Sequence, residues 1–363
     1  MFASLFGKKP ASPHAVRIAP ANVEFHAQPK ETLLQAALNQ GIAFPHDCRA
    51  GGCGTCKCRL VKGKVKELTD KSYLLSAEEL RDNYVLACQS IPQSDVEVEV
   101  ALRDAATLVP AQQSTAQITR IVPLTHDIVH LTVELEHALS FTPGQYCELA
   151  AREGSAAGVT RRYSFANVPD ASGASRLAEF FIRRVPGGRF TEWLFNEAKA
   201  GDALDVTAPF GDFVLRESTA PMLCIAGGSG LAPVLSMLRG ALQSMRRPRE
   251  VTLVFGARMQ RDLYMLDAID ALRREWPVSF DFVPVLADEP AGSAWTGRRG
   301  LIGDHLADAV GGGLQAYQAY LCGPPGMIDS CVDALEEAGV PESGIFFDKF
   351  LDESHLAPAR KVA

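Results

Sequence analysis

The sequence has little that would carry it into a membrane, onto nucleic acid or out of the cell. Its 363 residues hold no apolar run near the ~20 needed to span a bilayer. The opening MFASLFGKKP sets its lysines after a short apolar patch, the reverse of a secretory signal, so a frayed N-terminus is expected. Basic charge is short: 36 Lys and Arg stand against 43 Asp and Glu, a formal net charge of -7. A nucleic-acid binder needs a basic stripe, which excludes that partner class. An acidic face toward a basic protein stays open. There is also no internal repeat.

What the chain does hold is cysteine, nine in all, with no export signal beside them. That pattern points to a reducing cytoplasm, where clustered thiols are more often metal ligands than disulfide partners. The length exceeds one compact core, so two or three domains are expected.

Residues 14–103 read as a small α+β unit. VRIAPANVEFHAQ alternates weakly, like a hairpin. In ETLLQAALNQG, Leu33, Leu34, Ala37 and Leu38 line one helix face, and Gly41 suits the left-handed residue past its end. CRLVKGKVKEL predicts two short strands turning at Gly63. SAEEL carries a capping box from Ser76 to Glu79. DVEVEVAL alternates strictly and predicts an edge-type strand closing the unit. Residues 104–114 are read as a linker.

Residues 115–216 are strand-rich and punctuated by Gly and Pro, which predicts an antiparallel barrel interrupted by one helix near Phe190–Ala198. From 220 to 350 strands alternate with helices, which predicts a parallel, doubly wound α/β sheet. Residues 351–363 are a tail.

The densest chemistry is DCRAGGCGTCKCRLV, from Asp47. Cys48, Cys53 and Cys56 have the x4, x2 spacing of a plant-type [2Fe-2S] site, and Cys88 in LACQ is a fourth candidate ligand. Gly51, Gly52 and Gly54 allow backbone N–H groups to approach the sulfurs. Cys58 shares a strand face with Leu60 and reads as a core thiol. Zinc is the rival metal, but no second CxxC or His pair follows. A Rieske centre would need two histidines, and only His46 is local. Cys147, Cys224 and Cys331 fall in strand or helix patterns and read as core.

Three further motifs suit nucleotides. RRYS ends a predicted strand: Arg162 can pair with a pyrophosphate, the Tyr163 ring can stack on an isoalloxazine, and the Ser164 hydroxyl can reach a ring nitrogen. GGRFTEWLF runs glycine into a helix start, where N–H groups and Thr191 offer an anion site. IAGGSGLAPVLSML is strand, glycine turn and helix, lacking the full G-x-G-x-x-G but permitting backbone approach to a pyrophosphate. A surface patch, a plain helix cap and an ordinary turn would explain each alone.

In this order the pieces resemble known families. Residues 14–103 resemble plant-type ferredoxins, with a β-grasp-like fold. RRYS, the glycine-led helix and PGQYCEL resemble the flavin barrel of the ferredoxin–NADP reductase superfamily. The GGSG turn and CGPPGM resemble its nucleotide half. The resemblance implies Arg162, Tyr163, Ser164, Gly188 and Thr191 at FAD, and Gly227, Gly228, Ser229 and Gly230 at the coenzyme. It implies Cys322, with Gly323 and Pro324, beside the nicotinamide, and Tyr163, Ser164 and Cys322 closest to the reaction. Phe347 or Phe350 of the C-terminal FFDKF could cover the flavin.

The whole layout resembles the reductase components of multicomponent oxygenases. That implies an oxidoreductase carrying electrons from NADH through FAD and a [2Fe-2S] cluster to an oxygenase or hydroxylase partner, and a monomer is expected. Arg258, Arg261 and Asp262 near the ribose loop leave NADPH open; NADH is the expectation the resemblance favours. Two alternatives stand: a reductase of the same layout serving a non-oxygenase acceptor such as a sugar deoxygenation enzyme, and a redox-sensing iron–sulfur protein.

Overall fold

The computed structural model describes residues 12–46, 51, 54–72, 74–102, 111–244 and 248–350. Two compact units divide them, residues 12–102 and 111–350.

The first unit is built on β1 (His14–Ala19), β2 (Val23–Ala27), α1 (Leu33–Asn39), β3 (Lys57–Lys62), β4 (Val65–Glu67), α2 (Ala77–Arg81), β5 (Tyr84–Leu86), β6 (Ser90–Pro92) and β7 (Val96–Glu99). Its main sheet has the order β2-β1-β7-β3-β5. Thr32 caps α1 by accepting the Gln35 N–H, and Gly41 follows at φ +72°. The Ser76–Glu79 capping box forms at α2.

Two expectations change here. The strict alternation of DVEVEVAL marks a central strand, not an edge: β7 pairs parallel with β1 and antiparallel with β3. Val96 and Val98 are buried, while Glu97 and Glu99 meet Lys62 and Arg59 on the other face. Alternation reports two unlike faces of a sheet, not position within it. The strands flanking Gly63 do not pair with each other either. β3 joins the main sheet and β4 pairs with β6. Gly63, at φ +89°, is forced, because a Cβ there would lie 2.3 Å from the Asp95 carbonyl oxygen.

The second unit opens with β8 (Gln112–Pro123), β9 (Ile128–Ser140), β10 (Tyr146–Ala151), β11 (Thr160–Ser164), β12 (Ala174–Arg183), α3 (Arg189–Asn196) and β13 (Ala203–Phe210). These six strands form one antiparallel sheet, β11-β10-β13-β8-β9-β12. Its two ends meet where the Ala166 N–H donates to the Glu179 carbonyl at 2.7 Å, curling the sheet into a barrel. The core includes Leu131, Val133, Leu149, Phe165, Phe180 and Val206. β8 begins inside the stretch read as linker: polar Gln112, Gln113 and Ser114 hide the strand from a hydropathy pattern, yet they pair with Ala208, Thr207 and Val206.

The rest is β14 (Met222–Gly227), α4 (Leu231–Ser244), β15 (Val251–Ala257), α5 (Leu266–Glu275), β16 (Phe280–Leu286), β17 (Arg298–Arg299), α6 (Leu306–Ala309), β18 (Gln318–Gly323), α7 (Pro325–Glu337) and β19 (Ile345–Lys349). The sheet is parallel, ordered β17-β16-β15-β14-β18-β19. Every residue of β14 is buried, as a strand covered on both faces requires. The strand order reverses between β14 and β18. Open α/β sheets bind ligands at that point, outside the carboxyl ends of the strands.

Candidate functional site

In the first unit the β3–β5 ladder pairs Lys57 with Leu86, and the Ala87 N–H donates to the Cys56 carbonyl at 3.0 Å. This brings Cys56 to the segment that carries Cys88; the two residues are 2% and 5% exposed. Cys48, Cys53 and Gly52 lie outside the described residues. Gly51 and Gly54 have φ of +83° and +76°. A Cβ on Gly51 would come 2.7 Å from Cγ of Gln89, whose amide donates to the Cys88 sulfur at 3.8 Å. Two buried thiols on adjoining segments, near glycines at positive φ, fit a [2Fe-2S] cluster. Cys58 is 1% exposed and packs in the core. Burial first, and Cys88 second, push its thiol up to about 12, with Lys71 pulling the other way.

In the barrel, the RRYS strand β11 pairs with β10, setting Tyr146 opposite Ser164, Cys147 opposite Tyr163 and Glu148 opposite Arg162. Alternation then divides the motif: Arg162 and Ser164 share one face and Tyr163 takes the other. Arg162 Nε donates to Glu148 at 3.1 Å. Ser164 is buried at 5% exposure. The Tyr163 ring lies 5.4 Å from that of Phe190, in the first turn of α3. The two flavin motifs therefore converge. Burial, above all, holds the Tyr163 phenol well above its usual range, so it stays neutral.

Gly188 caps α3 with extended backbone. The first-turn N–H groups that follow have no intrahelical partner, which leaves them for an anion. Thr191 does not present its hydroxyl as expected. It accepts the Val185 N–H at 3.1 Å and donates back to the carbonyl of Val185 or Gly188, at 3.1 and 3.2 Å. It is 5% exposed, so it braces the glycine turn from inside.

At the switch point Ala226 pairs with Cys322. The turn Gly228–Gly230 leads into α4, and Pro324 leads into α7, so two helix starts stand at the carboxyl ends of the adjacent strands β14 and β18. A Cβ on Gly230 would lie 2.2 Å from the Cys322 carbonyl oxygen, and one on Gly227 would lie 2.4 Å from Met327 Sδ. A Cβ on Gly323, at φ +151°, would lie 3.0 Å from the Gly227 carbonyl oxygen. Ser229 is partly exposed on the turn. Cys322 is fully buried, and burial first, then Asp348, push its thiol well above the ordinary range. Its side chain packs in the core with Ala226 and Leu231.

The C-terminal FFDKF becomes β19, parallel to β18. Phe346 stacks on Tyr320 at 5.1 Å, and the half-buried Phe347 packs against the cluster that holds Leu321 and Val340. Only Phe350 stays near the crevice, its N–H donating to the Gly323 carbonyl at 2.9 Å.

An ion-pair network links residues far apart in the sequence. Asp127, between β8 and β9, accepts from Arg183 Nε at 3.0 Å and Arg258 Nη2 at 2.8 Å, so one carboxylate joins barrel and nucleotide halves. His126 lies 3.3 Å from Asp262. His126, Asp127 and Asp262 stand within 4.8 Å of one another, but two guanidiniums already claim Asp127. Nothing local in the sequence links position 127 to 183 and 258.

Residues 16–93 match a 2Fe-2S iron-sulfur cluster binding domain, 115–215 an oxidoreductase FAD-binding domain, and 224–333 an oxidoreductase NAD-binding domain. The three together define an oxidoreductase carrying a [2Fe-2S] cluster and FAD and using a nicotinamide coenzyme. The chain is 42% identical to the xylene/toluene monooxygenase electron transfer component XylA of Pseudomonas putida, over 95% of each chain. It is 36% identical to the reductase component of the Pseudomonas putida naphthalene 1,2-dioxygenase system, covering 88% of this chain and 93% of the relative. The solved structure of the Amycolatopsis cytochrome P450 reductase GcoB superposes with a TM-score of 0.75 at 35% identity, covering 93% and 98%. The chain belongs to the family of oxygenase reductase components, which pass electrons from NAD(P)H through FAD and a [2Fe-2S] cluster to an oxygenase. Among the described residues no helix is long and apolar enough to cross a membrane.

Proposed function

We propose that this chain takes reducing equivalents from NADH and delivers them singly to an oxygenase or hydroxylase of its own system, in the cytoplasm. The observation that carries the reading is the switch-point crevice. Gly227–Gly230 and Cys322–Pro324 pack closely there at the starts of α4 and α7, in the same compact unit as the flavin candidates. FAD supplies the exchange between a two-electron donor and one-electron acceptors, and the [2Fe-2S] cluster carries one electron at a time.

The chain's own residues bind and orient. Gly188 and the N–H groups after it hold the flavin pyrophosphate together with Arg162. Tyr163 offers a neutral ring, and Ser164 a buried hydroxyl at the reactive edge. The Gly227–Gly230 turn admits the coenzyme pyrophosphate, with Ser229 beside it. Cys322, Gly323 and Pro324 wall the nicotinamide side. Tight packing there excludes water without supplying a general base. Cys48, Cys53, Cys56 and Cys88 hold the cluster, while Cys58 remains a core thiol. Reduced thiols of this kind suit a reducing compartment.

Anaerobic stopped-flow mixing with NADH tests the reading. Flavin absorbance should bleach first and the cluster bands should follow. Flavin bleaching with no later cluster reduction would refute the internal relay. Slow or absent NADH-dependent reduction of cytochrome c would favour a sensor instead.

A further inference from the structure

The carboxyl ends of β15 and β16 frame an open surface depression of about 490 Å³, lined by Met259, Gln260, Arg261, Glu289, Pro290 and Ser293. β15 is the neighbour of β14, on the side away from Cys322. A dinucleotide with its pyrophosphate on Gly227–Gly230 and its nicotinamide toward Cys322 therefore extends its adenosine half over these loops.

The charged groups near this loop sort themselves by partner. Arg258 is held by Asp127 at 2.8 Å and stands 3.8 Å from Asp262. Asp262 is 9% exposed and accepts the Met259 N–H at 3.0 Å. Neither lines the depression; Arg261 and Glu289 do. Glu289 bridges the two loops by accepting the Gln260 N–H at 2.8 Å. Ser293 flanks it, its hydroxyl accepting from Arg299 at 3.1 Å. The Gln260 amide first, then Ser293, outweigh desolvation and, with Arg299, hold the Glu289 carboxyl below the usual range. A fixed carboxylate suits a ribose diol and opposes a phosphate dianion.

We infer that Glu289 is the specificity determinant of the coenzyme site: its carboxylate accepts a hydroxyl of the adenosine ribose and repels a 2′-phosphate that Arg261 would otherwise bind. This rests on the coenzyme reading of the Gly227–Gly230 crevice and makes it specific. It also moves the acidic discriminator from Asp262, which the sequence places by the ribose loop, to a residue of the next loop.

The test uses the holoenzyme as wild type, Glu289→Gln and Glu289→Gln/Arg261→Ala. Gln keeps an acceptor for the Gln260 N–H, so a merely structural role for Glu289 leaves specificity unmoved. Titration calorimetry with 5′-AMP and 2′,5′-ADP measures the adenosine half alone, and ferricyanide reduction gives kcat/KM for NADH and NADPH. Glu289→Gln should shift both the nucleotide preference and the coenzyme ratio toward the 2′-phosphate by about tenfold. The double variant should lose that gain. Ratios unmoved beyond twofold in Glu289→Gln, or a wild type that prefers NADPH, overturn the assignment while leaving the crevice as the coenzyme site. A wild type that binds neither nucleotide and oxidises neither coenzyme overturns the crevice reading itself.

Discussion

The Tyr264 hydroxyl donates to the Gly228 carbonyl at 2.9 Å. This bond ties the loop after β15 to the glycine turn that opens α4. Tyr264 is 4% exposed, and its ring stands edge-on to Phe181 of the barrel and Phe255 of β15, at 5.5 and 5.6 Å. Tyr264→Phe keeps the ring contacts and removes the bond. A hydrogen bond of this kind is worth about 1 kcal/mol, so KM for the coenzyme should rise roughly fivefold. The flavin and cluster spectra should not change, and steady-state kinetics beside visible spectra would show both.

Gly230 lies where the turn meets the end of β18. In Gly230→Ala the new Cβ would meet the Cys322 carbonyl, which is backbone and cannot step aside. Overpacking of this sort costs about 1–3 kcal/mol. The expected result is a lower Tm and strongly slowed flavin reduction by NADH, with FAD still bound. Calorimetry with single-turnover mixing measures both. An unchanged reduction rate would place the coenzyme elsewhere.

Cys58 and Cys88 are both buried, and the proposed reading gives them different roles. Cys58→Ser puts a hydroxyl where a thiol packs, at a cost of about 1–3 kcal/mol, but the visible spectrum of the cluster should persist. Cys88→Ser should abolish or sharply alter it. The opposite pair of spectra would overturn the ligand assignment.

Asp127 offers a pH test. Burial opposes its ionisation, but Arg183 leads Thr125, His126 and Arg258 in outweighing it, and the carboxyl is held below the usual range. A lowered carboxylate stabilises the fold above its unfolded pKa of about 3.9, and this is lost as pH falls through the lower folded value. Asp127→Asn should therefore lower Tm by about 2–4 °C at neutral pH, the size of a screened pair worth roughly 1 kcal/mol. The deficit should shrink below about pH 4, as the wild-type carboxyl protonates. Calorimetry between pH 7 and 3 would follow it, and a deficit that does not shrink would assign the loss to packing.

The parts of the fold that were legible carry their reason within a few residues. The capping box at Ser76, the positive-φ Gly41 and the buried run of β14 each follow from local chemistry. β7 was misplaced because alternation does not say which strands flank it. Phe347 and Phe350 looked equivalent in FFDKF. Only the pairing of β19 with β18 sets Phe347 against the cluster of Leu321 and Phe350 against that of Cys322, beside Gly323. Thr191 read as a phosphate donor because its spacing from Gly188 allows it, while its bond to Val185 lies six residues away.

The sequence alone determined which cofactors this chain can take and in what order. A [2Fe-2S] cluster, a flavin pyrophosphate and a coenzyme pyrophosphate each demand particular residues at short, fixed spacings, and short spacings survive in one dimension. The tertiary structure decided which charges remain for the ligand. Asp127 claims Arg183 from 56 residues away and Arg258 from 131, and Glu289 meets Gln260 across 29. Those pairings depend on strand order and loop approach, which no local pattern encodes.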